Sequence, residues 1–423
     1  MERPLEEIAT GKGYGKIMIK MDKALRGIRM IDLTHMLSGP YGAMILSDLG
    51  ADTVKVEPPE KGEGTRRLLE LDPHNSIHGM GAYFFTLNRN KRSVALDLKS
   101  PSGLAAFYEL VKAADVVINN FSAGVTKKLK IDYETLSRIN PRIITCTVTG
   151  FGESGPAFNR PAFDQIAQAL GGGMSITGQN ENEVMRAGIP IGDLGGGMFS
   201  VMGILAAIVA RQTTGRGQHV DISMLDCQIS MLNYMATMYS MSGDIPKPLG
   251  NSHFVHVPYN TFTTATGPVV IAVIGDTFWP PLKSLLNIAA FDDPRLDHAP
   301  GRLAEKEFIE AEINKVLIHQ PAEYWIEKLE EMRIPCARVN NIPQALNDPQ
   351  VRDRNMVVRV DHPEGGSAEV PGNPIKLSDT HTDSFSPPPL LGAHTEEVFK
   401  DWLGWSSEDL EQFLQSGREK TVA

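Results

Sequence analysis

Asp164 is the residue whose setting in this chain most suggests chemistry. It stands in Arg160-Pro161-Ala162-Phe163-Asp164-Gln165, just after a Gly/Pro-rich turn at 150–156 and shortly before Gly171-Gly172-Gly173. An acid at a loop-to-helix junction can simply cap the helix by accepting a backbone amide. The same setting suits a nucleophilic carboxylate, because first-turn amides hold it ionised and nearby glycines let a large acyl group approach. His74 and His78 have the i, i+4 spacing of a helical metal pair, yet Asp72-Pro73 and Gly79 predict a loop there, so no metal site is expected. The chain carries no Walker motif, no H-E-x-x-H, no G-x-S-x-G and no Cys/His metal spacing.

The elements that must position Asp164 follow from hydrophobic spacing. Residues 27–57 read strand, helix, strand: an apolar run at 28–33, a helix start at Ser38-Gly39-Pro40, helical spacing over 41–49, Gly50 as a stop, and a strand at 52–57. The pattern recurs with a strand at 93–98, a helix at 102–114 opened by Ser100-Pro101, a strand at 115–120, a helix at 133–139 and a strand at 142–148. Such alternation predicts a doubly wound α/β domain that takes ligands at the carboxyl ends of its strands. Residues 163–170 and 194–211 read as helices and 219–222 as a strand. The uncharged stretch at 194–210 falls short of the ~18–20 apolar residues a membrane span needs, which predicts a buried helix starting after a Gly195-Gly196-Gly197 turn. Beyond Met241 the texture changes. Short strands at 259–264 and 269–273 and helices at 278–286 and 305–318 suggest a smaller domain. Segments at 335–339 and 348–355 lead back to a strand at 356–360, a loop at 363–389 and a helical tail at 394–414.

A chain of 423 residues suggests two or three domains. With 42% hydrophobic and 22% charged residues it has a soluble balance, and no membrane partner is expected. Lys plus Arg total 41 against 51 Asp plus Glu, a net charge of −10, so no nucleic-acid partner is expected either. Cys146, Cys227 and Cys336 are odd in number and far apart, which points to a reducing cytoplasmic setting. The first 22 residues lack the apolar segment of a secretory signal.

Taken together, the segments at 27–59, 87–103, 114–125, 149–156, 161–172 and 214–226, with DPQVRDRNM and PPLLGAHTEEV near the C-terminus, resemble the class III CoA-transferases. That family includes formyl-CoA and carnitine CoA-transferases and is related to the α-methylacyl-CoA racemases. The resemblance implies an α/β fold with a Rossmann-like large domain from both termini, an inserted small α+β domain and an interlocked homodimer. It divides the chain into an extension (1–24), the first part of the large domain (25–225), a linker and small domain (226–340) and a return to the large domain (341–423). It assigns Asp164 as the nucleophile that attacks an acyl-CoA thioester to give an aspartyl mixed anhydride. CoA thiolate then forms an enzyme–CoA thioester, and an acceptor carboxylate reverses the steps. By the same resemblance CoA is a substrate rather than a resident cofactor, and it lies against His35, Met36, Leu37, Ser38, Leu96, Lys99, Asn120, Phe121 and Lys128.

Three positions depart from the family pattern. Lys128 replaces the commoner Arg and supplies a point charge in place of a fork. Thr149 stands where some transferases have Lys, and Pro58 replaces a basic residue whose part Arg66 or Arg67 would take. The racemase alternative needs a second acid/base group, in the family a His before the Asp. Here Phe163 precedes Asp164 and no His lies between His78 and His219, which favours transfer. A non-catalytic CoA-binding scaffold would have no need of Asp164. Arg160, Arg186, His253 and His256 are candidate contacts for the acid substrate, and cations there would suit a dicarboxylate such as succinate.

Overall fold

The computed structural model describes residues 23–380, 383 and 385–419; all but the last two residues of the expected extension at 1–24 lie outside them. Six strands form one parallel sheet: β1 (Arg29–Asp32), β2 (Asp52–Glu57), β5 (Lys91–Ala95), β6 (Val116–Asn119), β7 (Ile144–Thr149) and β8 (His219–Ser223), with a small hairpin, β3 (Ser76–Ile77) and β4 (Met80–Gly81), set apart from it. The order across the sheet is β5-β2-β1-β6-β7-β8. Counted along the chain, these six strands run 3-2-1-4-5-6, the doubly wound order. Alternate residues serve opposite faces, as the two-residue period of a strand requires. Ile31, Val54 and Val117 pack against one helical layer, and Met30, Val116 and Ile118 against the other. The apolar runs of the sequence are continuous because both faces are covered.

On one face lie α1 (Ser38–Asp48), α6 (Asp164–Leu170), α7 (Ile191–Thr214) and α8 (Met224–Leu232). On the other lie α3 (Pro101–Ala113) and α5 (Tyr133–Ile139); α2 (Ala82–Leu87), α4 (Val125–Leu129) and α9 (Tyr234–Ser242) are peripheral. The glycines expected to make a turn before α7 sit inside the helix. A Cβ at Gly197 would lie 2.7 Å from Ser38 O, and one at Gly196 2.5 Å from Ser38 Oγ, so the triplet lets α7 press directly on α1. The helix is also not buried all round. It is long and apolar enough to cross a membrane by length and composition, and well under half of its most apolar stretch is covered.

A second core is built on β9 (Tyr259–Thr264), β10 (Gly267–Ala272) and β11 (Cys336–Arg338), an antiparallel sheet in the order β11-β10-β9. Helices α10 (Trp279–Leu286), α11 (Ala299–Ala304), α12 (Lys306–Leu317) and α13 (Ala322–Glu331) surround it, and its apolar residues run from Val257 to Ile334. Short helices α14 (Ile342–Leu346) and α15 (Pro349–Asp353) follow. The strand expected at 356–360 is β12 (Val357–Asp361), but it does not join the large sheet. It pairs with β13 (Ser367–Pro371), a strand inside the stretch expected to be loop, through a turn containing Gly365 and Gly366 at positive φ. The helical tail is two helices, α16 (Thr395–Leu403) and α17 (Ser407–Glu419), separated by the left-handed Gly404. Both pack on α3, where Val398, Phe399, Trp402 and Leu410 complete the core.

Candidate active site

In a doubly wound sheet the crevice opens where the strand order reverses, here between β1 and β6. The loops leaving those two strands are tied together. Asn120 Oδ1 accepts from His35 N at 2.8 Å, and Asn120 Nδ2 donates to His35 O at 2.7 Å. The Asn120 amide, expected to face CoA, is thus committed to the His35 backbone. The His35 ring lies against Phe121, centroids 5.5 Å apart.

Three adjoining hollows run from this clamp. One of about 770 Å³ is lined by Lys99, Lys128 and Lys130 with Leu98, Leu104 and Leu129. One of about 230 Å³ shares Lys99 and adds Leu96, Phe121 and His35. The third, about 300 Å³, holds His35, Met36, Leu37, Ser38, Asn120 and Phe121 at one side and Phe163, Arg160, Tyr83 and Asp193 at another. The residues expected to meet CoA are therefore brought onto one track. It has exposed ammonium groups at one end, apolar walls between, and Phe163, the neighbour of Asp164, at the other.

Asp164 does not cap its own helix. Phe163 is the N-cap of α6 and Asp164 is its first residue. Its carboxylate reaches instead to the N-terminus of α7, where Oδ1 accepts from Gly192 N at 2.8 Å and from Asp193 N at 3.3 Å. Oδ2 accepts from Gln168 Nε2 at 2.7 Å. Two backbone donors at the N-terminus of α7 and the Gln168 amide fix the carboxyl group in place. Gly192 is required for this approach, since a Cβ there would stand 2.9 Å from Asp164 Oδ1. Gln168, buried, is itself fixed by accepting from Ala187 N at 2.9 Å. The glycine triplet after α6 serves packing: a Cβ at Gly171 would meet Gln228 of α8 at 2.3 Å.

Two further polar groups line the hollow without a protein partner for their side chains among the described residues. Ser38 Oγ is buried and unbonded. The Asp193 carboxyl, in the first turn of α7, is pushed up to about 6 by burial and then by the charge of Asp164. The Tyr83 phenol is pushed up by burial and by Asp193, Asp164 and Glu63.

Under the crevice lies a buried set of charges that sequence reading missed. Lys91 Nζ donates to Asp32 Oδ2 at 2.8 Å, and Lys55 Nζ donates to Thr34 O at 2.8 Å. Burial by itself raises the Asp32 carboxyl, but Lys55, Lys91 and Thr34 hold it well below the usual carboxylate range. Burial pulls Lys91 down to about 8 against the attraction of Asp32. Arg66, one of the two cations expected to replace a basic residue at 58, belongs to this framework. Its guanidinium makes two 2.7 Å bonds to Glu57 and donates to Pro389 O at 3.0 Å, so it is not available to a phosphate. Arg67 is exposed.

The other expected contacts divide. Arg160 lines the hollow beside Phe163, with its guanidinium 5.3 Å from the centroid of the Phe151 ring. Arg186 turns back to Ala187 O and Gly188 O of its own loop. His253 and His256 stack on each other outside the three hollows, and His253 Nδ1 accepts from Val255 N and His256 N. Thr149 Oγ1 accepts from Gly152 N at 2.8 Å and shapes the turn after β7. That turn spells G-x-G-x-x-G over residues 150–155, but no helix opens on it, so it lacks the amide-rich N-terminus of a dinucleotide site. Instead Gly150 packs against Ala162, where a Cβ would come within 2.3 Å, and so anchors the segment leading to Asp164. Among the described residues no group of His, Cys, Asp and Glu could hold a metal ion.

Sequence and structure comparisons bear on what such a site serves. CoA-transferase family III matches residues 25–395. A succinyl-CoA:mesaconate CoA-transferase of Haloarcula marismortui is 38% identical over 89% of this chain and 96% of its own. An acetyl-CoA:oxalate CoA-transferase of Acetobacter aceti is 37% identical over 83% of this chain and 88% of its own. The crystal structure of a CaiB/BaiF family protein from Brucella suis, 33% identical, superposes with a TM-score of 0.80 over 90% of this chain and all of that one. With the expected contact residues lining hollows that end beside a donor-held carboxylate, and similarity across nearly its whole length, the chain belongs to CoA-transferase family III and is an enzyme of that class.

Proposed function

We propose that this enzyme moves CoA from succinyl-CoA, or a closely similar dicarboxylic acyl-CoA, to a dicarboxylic acid acceptor, with Asp164 as the covalent nucleophile. The observation that carries the reading is the Asp164 carboxylate, held by three donors at the end of the track. Its attack on the thioester carbonyl gives a mixed anhydride and CoA thiolate. Thiolate attack at the aspartyl carbonyl gives the enzyme–CoA thioester, and the acceptor carboxylate reverses the sequence. Covalent catalysis of this kind divides one poor acyl exchange into easier steps. The amides of α7 hold the nucleophile in a fixed orientation at no reorganisation cost. Lys99 and Lys128 pair with CoA phosphates, and the Phe121 and Leu96 wall faces the apolar part of CoA. Arg160, the one candidate cation that lines the acyl hollow, pairs with the distal carboxylate of the acid; the substrates in the names of the mesaconate and oxalate relatives support a dicarboxylate.

The homodimer belongs to the same proposal. The outer face of α7 to α9 exposes Met198, Met202, Ile229, Tyr234, Met238 and Tyr239, an apolar surface that a second copy would cover. The division into 25–225, 226–340 and 341–423 is supported by the separate core around β9 to β11. Three free cysteines support a cytoplasmic location.

The test is a matrix of acyl-CoA donors against mono- and dicarboxylic acids, read by mass spectrometry of the CoA products, with hydroxylamine trapping on the peptide that holds Asp164. Succinyl-CoA with a dicarboxylate acceptor is expected to give the fastest exchange, and donor alone a hydroxamate at Asp164. Exchange with no trapped species, or α-deuterium uptake in heavy water without exchange, would overturn the reading.

A further inference from the structure

The active site holds two carboxyls that are treated very differently. Asp164, the first residue of α6, accepts three hydrogen bonds, whereas the carboxyl of Asp193, in the first turn of α7, receives none from the described residues, although its own backbone N–H donates to Asp164 Oδ1 at 3.3 Å and the residue lines the hollow beside Phe163. Both lie at the N-terminus of α7, but its amides point to Asp164. Burial, and then the neighbouring Asp164, push the Asp193 carboxyl, which has no donor, up from the usual carboxylate range. We propose that Asp193 is a second catalytic acid of the reaction, whose O–H donates to the thioester oxygen as Asp164 adds to the carbonyl carbon.

The proposal rests on Asp164 being the nucleophile. In the first step the bond from the Asp164 oxygen to the thioester carbon forms, and the carbonyl electron pair moves onto oxygen, where it accepts from Asp193. On collapse the C=O bond re-forms, the C–S bond breaks, its electron pair leaves on the CoA sulfur, and the proton stays with Asp193. A neutral acid kept in a pocket to donate a hydrogen bond is a known solution to oxyanion stabilisation.

The groups around Asp193 act in the same direction. Burial, and then the charge of Asp164 on α6, push its carboxyl up to about 6. Tyr83 on α2 lines the same hollow as Asp193 and is pushed up by burial and then by Asp193, Asp164 and Glu63. His35 and Arg160 line the same hollow, but neither is paired with Asp193: His35 lies 3.9 Å from Glu63, and Arg160 lies over Phe151. A bound thioester removes more water and raises the acid further.

Single-turnover formation of the Asp164 adduct, followed across pH in wild type, Asp193→Asn and Asp193→Ala, tests this. Wild type should lose rate with unit slope on the alkaline side of an apparent pKa at or above about 6. Asp193→Asn, an uncharged donor, should lose that limb. Asp193→Ala should slow the adduct step by about 10²–10³-fold below that pKa, the effect of one lost oxyanion donor, with the deficit narrowing as pH rises and acyl-CoA affinity nearly unchanged. A folded Ala variant with wild-type adduct rate, or an alkaline limb that persists in Asp193→Asn, overturns the proposal; should the Ala variant not fold, the Asn profile decides. Wild type forming no adduct at all overturns the nucleophile reading, and this proposal with it.

Discussion

At the scale of single residues, the site depends on a carboxylate whose donors come from elsewhere in the chain. Asp164 was legible as a special acid from its motif, and Gln168, four residues on, could have been read from the i, i+4 spacing on one helix face. The α7 donors were not legible, because Gly192 lies 28 positions away and only the tertiary packing of α6 on α7 joins them. Asp164→Ala should abolish exchange, by on the order of 10⁴-fold or more, as other losses of a covalent nucleophile do. A lost helix cap would cost only ~1 kcal/mol. The readout is steady-state exchange alongside CoA binding, and near-normal turnover would refute the role. Gly192→Ala is the subtler probe. Its methyl group would displace Asp164 Oδ1 from 2.9 Å, so kcat should fall by about 10²-fold while the Michaelis constant for acyl-CoA stays near wild type.

Among elements, the α1–α7 contact sets where the crevice floor lies. Gly197 has room for no side chain against Ser38 O and Gly42 N, both backbone atoms that cannot rotate away. Gly197→Val should force the helices apart and lower stability by about 1–3 kcal/mol or more, read as a fall in melting temperature; an unchanged value would contradict the packing. Sequence reading placed most elements of the large sheet closely, β2 and α5 to the residue, because strands buried on both faces and helices with capped starts leave strong periodic signals. It failed where local signals compete. Glycines inside α7 looked like a turn because their tight partner, α1, is remote in sequence. Strand β13 was hidden among Pro and Gly that belong to the turn at Gly365-Gly366. The buried Asp32–Lys55–Lys91 set was invisible for the same reason: the three residues lie on three different strands and meet only across the sheet.

For the whole molecule, charge and shape act over longer range. The net charge is −10, yet the outer end of the track gathers Lys99, Lys128 and Lys130. If this basic spot takes the polyanionic CoA, as proposed, the Michaelis constant for acyl-CoA should rise with ionic strength. Lys128→Ala should raise that constant by about 2–5-fold, as loss of ~0.5–1 kcal/mol from an exposed pair would, with kcat little changed. An unaltered constant would remove Lys128 from the phosphate site. The exposed apolar face of α7 to α9 carries the second test at this scale. Light scattering should give twice the chain mass, and a Met202→Glu, Met238→Glu double variant should reduce it to one chain. A monomeric wild type would refute the dimer.

The packing of α16 and α17 on α3 has a consequence in time. Arg92 of β5 bonds to Asp52 of β2 and to Glu397 and Asp401 of α16, and Trp402 Nε1 donates to Asp52 at 2.7 Å. Phe107, Leu110 and Val111 of α3 lie in the same cluster as Val398, Phe399 and Leu410. The strands that form the crevice leave the ribosome well before the residues that seal their outer layer. A nascent chain ending before residue 395 should therefore expose that greasy face, an invitation to chaperones and to aggregation. Stalled chains of increasing length should bind a hydrophobic dye until α17 has emerged, and protection appearing before residue 395 is made would show that the large sheet can close without its last two helices.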